Sequence, residues 1–418
     1  MSDVELTIER PAAGGRMIAR HEGRVVFVAG AIPGERVRAR FERPRGGTLF
    51  AATVEVLEAS TDRREPGDEP SCGGRDFAHI TLERQRAIKS EIVVDAFRRL
   101  AQVQLEAPPV VHGSPEEAYR MRARLHVADG RVGFYREGSH VICDPACSRQ
   151  LRDDTLGLVH ALSQVLSDAG TAPRGSLEIA ENRDATERAV LLDVASGLLS
   201  GDVVEAVLGA SGATGAGVAR AGQLVAERGS PLVTDVIELG GVPVTFQRHV
   251  RGFFQGNRFL LQTLVDRVLS HVPDGPLADL YAGVGLFGVA HAARGAGQVL
   301  AVEGDATSAA DLSANAAPFG DAIAVVEASV ESVVARRSTL AGRTVLVDPP
   351  RTGLAVPVID AIAAVRPPRV VYVSCDVATI ARDVRRLTSA GYAPQAVEAF
   401  DLFPGTAHIE TLAILALR

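Results

Sequence analysis

The chain has 418 residues, 46% of them hydrophobic and 23% charged, the balance of a globular protein with two or three domains and a substantial core. Four cysteines (Cys72, Cys143, Cys147 and Cys375) are too few for a secreted disulfide scaffold, and neither an apolar signal core nor a run near the roughly 18 residues of a membrane helix is present, so a cytoplasmic protein with no membrane partner is expected. The net charge of -7 argues against a nucleic-acid partner, but nine arginines face only three glutamates and no aspartate between Arg10 and Phe50, and screening beyond about 10 Å makes local charge the relevant quantity.

Residues 1–60 read as short strands separated by turns. Arg24–Val28 is β-rich, Ala31-Ile32-Pro33-Gly34 is a turn, and Arg36-Val37-Arg38-Ala39-Arg40 alternates. Side chains repeat with period 2 along a strand, so these arginines share one face. A small barrel of the OB type with a basic, RNA-binding face is expected; an edge strand protected by charge is the plainer alternative. Thr61–Gly74, rich in Pro, Gly and charge, reads as a linker, and a helix is predicted over Leu82–Leu100. Residues 110–249 mix short strands and helices, with an Ala/Gly-rich stretch at Gly209–Gly222. From Leu277 strands and helices alternate. Strands are predicted at Leu277–Tyr281, Gln298–Val302, Ala322–Val326, Thr344–Val347, Arg369–Ser374, Pro394–Phe400 and His408–Leu417. This is the pattern of a doubly wound parallel sheet, which binds ligands at the carboxyl ends of its strands.

Four motifs sit at or near those ends. In Asp279-Leu280-Tyr281-Ala282-Gly283-Val284-Gly285-Leu286-Phe287-Gly288 a strand enters a glycine turn and then a helix, with Glu303 closing the next strand 20 residues after Gly283, placed to accept both ribose hydroxyl hydrogens. The spacing suits a nicotinamide dinucleotide as well as S-adenosylmethionine. Asp348-Pro349-Pro350-Arg351 ends the fourth strand in a rigid corner, of the kind many methyltransferases set beside the transferred methyl, or simply a strand-ending turn. Tyr372-Val373-Ser374-Cys375-Asp376 delivers a lone cysteine to the sheet edge. Most such cysteines are small buried hydrophobes, but carbon 5 of a pyrimidine becomes reactive only after a nucleophile attacks carbon 6. In Asp401-Leu402-Phe403-Pro404-Gly405-Thr406-Ala407-His408-Ile409-Glu410 an extended end would put His408 and Glu410 on one face, where a carboxylate can act as general base.

In this order the four motifs resemble the family of uridine C5 RNA methyltransferases that act on the tRNA T-loop or large-subunit rRNA. The resemblance covers nearly the whole chain. Gly30-Ala31-Ile32-Pro33-Gly34-Glu35 is similar to the family's RNA-binding TRAM domain, and Phe253-Phe254-Gln255-Gly256-Asn257 to its cofactor-contacting element. It implies an α/β architecture in three parts: a TRAM barrel over residues 1–60, a central RNA-binding α+β domain over 61–249, and a Rossmann-like methyltransferase domain over 250–418. It also implies that Gln255, Tyr281, Glu303 and Asp348 contact S-adenosylmethionine, that Cys375 is the nucleophile, and that Glu410 is the base. Asp348 and Arg351 are the candidates for positioning a flipped-out uridine. RNA is the implied partner, and a monomer is expected.

The chain departs from the family pattern in two places. Members often hold a four-iron cluster on cysteines before, within and after a Cys-Gly-Gly-Cys element. Here Cys72-Gly73-Gly74 precedes Arg75, and the position six before Cys72 is Pro66, so no iron–sulfur cluster is expected and no metal ligand is assigned, although Cys147 matches the distal ligand with Cys143 close by. Leu286 stands where asparagine is frequent. A nicotinamide-dependent oxidoreductase or an amino-methyltransferase leaves Cys375 and Glu410 together unexplained. A cytosine C5 methyltransferase would carry its cysteine just after a proline in the fourth-strand loop. A catalytically inactive RNA-binding protein that kept the fold is the alternative from another class.

Overall fold

The computed structural model describes residues 3–44, 46–67, 69, 71–169, 173–197, 199–210 and 212–418. Arg45 of the basic segment, Asp68 and Pro70 of the expected linker, and Ser211 of the Ala/Gly-rich stretch lie outside the described residues. Among the described residues no helix is long and apolar enough to cross a membrane.

Strands Asp3–Pro11, Met17–His21, Arg24–Ala29, Arg36–Phe41 and Leu49–Glu58 close into a barrel. Alternation turns Leu6, Ile8, Val26, Val28, Val37 and Ala39 into its core and leaves the arginines of Arg36–Phe41 outside. The bare cationic face expected of that strand is corrected here. Its two neighbours present acids at matching positions, so Arg36 pairs with Glu5 and Glu58, Arg38 with Glu5 and Glu55, and Arg40 with Asp3. The strand is a ladder of ion pairs. The stretch expected to be a linker is also tied down. Arg63 donates to the buried carboxylate of Glu35, Arg64 to Glu116, and Cys72 forms a disulfide with Cys143. Helix Leu82–Ala96 follows and ends in one π turn, Phe97–Ala101.

A seven-stranded sheet occupies the middle of the chain. Its order is Gln223–Gly229, Gly215–Arg220, Arg188–Ser196, Arg174–Glu181, Arg122–Ala128, Arg131–Tyr135 and Ile142–Cys143. Helices Asp153–Asp168 and Gly201–Leu208 bury Leu158, Leu162 and Val207 against Leu125, Leu177 and Leu192 of the sheet. The hairpin Leu232–Leu239 and Val242–His249 instead sends Ile237 and Phe246 into the same cluster as Leu264 and Val268 of helix Leu261–Ser270.

The C-terminal sheet has eight strands in the order Ile323–Glu327, Val299–Glu303, Leu277–Leu280, Thr344–Val347, Arg369–Ser374, Glu410–Leu417, Tyr392–Phe400 and Val111–His112. The first five in this order run parallel, as alternation with helices requires. Glu410–Leu417 is antiparallel to both of its neighbours, a correction to the purely parallel expectation. Tyr392–Phe400 returns through a loop with no crossover helix, and only an antiparallel partner can be reached that way. Val111–His112 adds a strand from much earlier in the chain. Chain order reverses on either side of Leu277–Leu280, whose partners are Val299–Glu303 and Thr344–Val347. A crevice at the carboxyl ends follows from that switch point.

Candidate active site

The first strand, Leu277–Leu280, is wholly buried and exits into a turn with three left-handed residues, Tyr281 (φ 62°), Gly283 (φ 56°) and Gly285 (φ 91°). Gly285 opens helix Leu286–Ala293, and a Cβ there would lie 2.6 Å from Leu312 and 2.8 Å from Val289. At Gly283 nothing lies within 4 Å of such a Cβ, so its backbone faces open space that a ligand can approach closely. The turn is held by two carboxylates. Glu303 accepts the Gly283 amide at 2.8 Å and the Asp305 amide at 2.7 Å. Asp279, which carried no assigned role in the sequence, accepts the Gly288 amide at 2.8 Å. Complete burial raises the Asp279 pKa to about 7. An acid on an otherwise apolar strand just before a glycine turn was the available signal. Tyr281 donates its hydroxyl to Glu331 at 3.4 Å.

Next along the edge, Val347 pairs with Leu280 on one side and Tyr372 on the other, which brings the residues that follow each strand to one rim. Asp348 leaves there and accepts the Gln255 side-chain amide at 3.4 Å. Burial, then the nearby Asp279 carboxylate, pushes Asp348 up to about 7. One strand further, Ser374 lies opposite Thr411, so Cys375 and Glu410 emerge side by side. The Cys375 thiol is raised to about 11, by burial first and then by Glu410, while Arg351 acts in the opposite sense. Glu410 is buried, and its carboxyl is raised well above the usual range by burial and by Asp348, again opposed by Arg351. Gln255, Asp348, Arg351, Cys375 and Glu410 thus form one cluster, and Tyr281 and Glu303 stand at the adjoining turn. His408 is not part of a strand with Glu410, although burial and then Arg351 of the site lower its pKa to about 4. The strand begins only at Glu410, so His408 remains in the preceding loop.

That loop, residues 401–409, has no regular structure, and distant side chains set its shape. Asn257 donates to the Leu402 carbonyl at 3.0 Å and to Ser114 Oγ at 2.8 Å. Gln85 accepts the Gly405 amide at 2.9 Å, and the Phe77 amide donates to the Gly405 carbonyl at 2.8 Å. Phe403 packs edge-on to Tyr119 and His408, and the Arg120 guanidinium lies 5.5 Å from its ring centre. Contacts of such sequence separation leave no local signal, so Gln85 and Arg120 carried no expected role and Asn257 entered only as the last residue of the Phe253–Asn257 element.

The residues near Cys72 do not fit a four-iron cluster, which takes four thiolates. Cys72 and Cys143 are bonded to each other, Cys147 is free, and Arg75 donates to the Cys147 carbonyl.

The family described as tRNA (Uracil-5-)-methyltransferase matches residues 217–418, and the TRAM domain matches residues 2–54. The 23S rRNA (uracil(1939)-C(5))-methyltransferase RlmD of Halomonas elongata is 32% identical over 98% of this chain and 89% of its own. That of Pseudomonas putida is 33% identical over 98% and 92%. In fold, the Pyrococcus abyssi tRNA (uracil-54, C5)-methyltransferase, solved with S-adenosyl-L-homocysteine, superposes with a TM-score of 0.77 at 22% identity, covering 99% of this chain and 100% of that one. The chain belongs to the family of RNA uracil-C5 methyltransferases, with an N-terminal TRAM barrel.

Proposed function

We propose that this enzyme methylates carbon 5 of a uridine in 23S rRNA through a covalent bond between Cys375 and the RNA. The juxtaposition of Cys375 and Glu410 at adjoining strand ends, beside Asp348 and Arg351, carries the reading. The rRNA substrate is favoured over tRNA by the relatives that match nearly the full chain at 32 and 33% identity. The methyl donor is S-adenosylmethionine, which supplies an electrophilic methyl group. Open backbone at Gly283, the Glu303 carboxylate, Gln255, Tyr281 and the edge near Asp348 are the groups that would hold it. The parts divide as residues 1–60 for RNA capture, 61–249 for shaping the substrate groove, and 250–418 for chemistry. A cytoplasmic monomer is part of the same proposal.

The chain's own work follows from its charges. Arg351 favours the Cys375 thiolate, which adds to carbon 6 of the flipped uracil and leaves carbon 5 electron-rich. After carbon 5 is methylated, Glu410 takes the remaining hydrogen there as a proton. The electron pair of that C–H bond closes the C5–C6 double bond and expels the Cys375 thiolate. Asp348 holds the Gln255 amide at the rim.

The two substitutions at this pair should fail differently. Cys375→Ala should give neither product nor adduct. Glu410→Gln should stall after methylation, leaving RNA attached through Cys375, stable to denaturing electrophoresis and carrying label from the donor's methyl group. An adduct on Cys375→Ala protein would sink the nucleophile assignment, and normal turnover by Glu410→Gln would move the base elsewhere, with His408 the next candidate. An inactive RNA-binding protein would form no adduct in any variant. Mapping 5-methyluridine in rRNA and tRNA from a deletion strain separates the two substrates.

A further inference from the structure

Lys89 is the only lysine in the chain, and it lies in the middle of helix Leu82–Ala96, far in sequence from every motif of the site. It is completely buried, as is its partner Asp401, and the two form an ion pair. The same ammonium donates to the Phe403 carbonyl at 3.3 Å. Asp401 Oδ1 receives the ammonium, while Oδ2 is buried and has no hydrogen-bond partner among the described residues. The Asp401 amide donates to the His112 carbonyl at 2.8 Å. Removing both charges from water is expensive, and breaking such a pair by removing one partner leaves an uncompensated buried charge. The pair anchors the first turn of the loop whose far end is Glu410. One helical turn earlier, Gln85 holds the middle of the same loop at Gly405.

We propose that Lys89 is a positioning residue for the base step, acting through Asp401 and the Phe403 carbonyl to set the loop that ends at Glu410. The proposal rests on the reading of Glu410 as base. It makes the helix ahead of the central sheet part of the reaction machinery. Lys89 does not touch the substrate. Its loss lets the loop shift, and a displacement near 1 Å of a group that must take a proton can slow its step by about 100-fold.

The test uses full-length protein, methyl-labelled S-adenosylmethionine and the RNA transcript that the unaltered enzyme methylates. Lys89→Met should bind the donor with unchanged affinity in calorimetry, yet accumulate labelled Cys375–RNA adduct, with release slowed by about 10- to 100-fold. The double variant Lys89→Met/Asp401→Leu removes both charges of the pair together, leaving neither of the two unpaired, with Arg86, 4.0 Å from Asp401, still partly open to water, and it should show the same slow release. Arg84→Ala removes the exposed pair with Glu91 from the same helix and should release adduct at the normal rate. Glu410→Gln is run in parallel. Trapping by Glu410→Gln together with normal release by both Lys89 variants overturns the positioning role alone. Normal turnover by Glu410→Gln overturns the base assignment, whatever Lys89 does. If both Lys89 variants lose donor binding, the pair is a folding element and the proposal fails.

Discussion

Ser374 and Thr411 are register partners on antiparallel strands, and that single pairing makes neighbours of Cys375 and Glu410. Burial first, and then this closeness, raise the Cys375 thiol to about 11, with Arg351 the cation that opposes the acids. Below that value each unit of pH multiplies the thiolate fraction by about ten. Asp348, raised to about 7, and Glu410, raised well above the usual carboxylate range, also shed protons as pH climbs, which readies the base. Both effects act in one direction, so kcat/KM for RNA should increase between roughly pH 7 and 9. Arg351→Gln should lower it on the order of 10-fold at neutral pH and push the rising limb upward. A flat profile with an unaltered Arg351→Gln rate would mean that thiolate formation does not limit the reaction.

Asp279 gives a stability prediction of defined sign. Its folded pKa of about 7 lies above the ordinary 3.8, so the native state holds the proton more tightly than the unfolded chain. The favourable contribution is therefore complete below about pH 3.8 and is lost as pH rises to about 7. Asp279→Asn keeps an acceptor for the Gly288 amide and never ionises. Its melting temperature should exceed that of the unaltered protein at pH 8, and the gap should close towards pH 4. An equal gap at both values would show that ionisation of Asp279 is not the cause.

Glu398 works in the opposite sense. Arg267, His112 and His271 converge on its carboxylate, with donor distances of 2.8, 2.8 and 2.9 Å. Those hydrogen bonds outweigh burial and hold the carboxyl well below its usual range. Stability from this knot is present above the ordinary value of 4.5 and is lost as pH falls below it. Glu398→Gln should cost about 1–3 kcal/mol at neutral pH. The cost is moderate because the Arg267 side chain is 41% exposed and water can take the carboxylate's place there. Denaturant unfolding of the two proteins at pH 7 and pH 4 checks both size and sign.

What was legible in the sequence was what local pattern encodes. Thr344–Val347 and Arg369–Ser374 fall where apolar runs predicted them, and strand order brought Asp348, Cys375 and Glu410 to one rim, where Gln255 reaches Asp348 from the segment before the sheet. The antiparallel Glu410–Leu417 was not legible, because an apolar strand reads alike in either direction. The neutralised arginines of Arg36–Phe41 were missed because their acids lie on strands 17 to 37 residues away. Lys89 showed nothing locally to mark it as buried, since its partner is 312 residues further on.

The cysteines offer the last test. A disulfide closing a loop of 71 residues stabilises chiefly by limiting the unfolded chain, typically by about 2–4 kcal/mol. It also removes two of the thiolates that an iron cluster would require. Protein purified without reductant and then denatured should therefore titrate two thiols, Cys147 and Cys375, and four after reduction. Reductant should lower the melting temperature of the unaltered protein and leave that of Cys72→Ser/Cys143→Ser unchanged. Anaerobically purified protein should carry no stoichiometric iron and no cluster absorbance. Four thiols before reduction would rule out the disulfide. Iron in stoichiometric amount would mean that Cys72, Cys143 and Cys147 assemble a cluster with a further ligand, and Glu69, whose carboxylate lies within 4.8 Å of the Cys72 and Cys143 sulfurs, would be the group to substitute next.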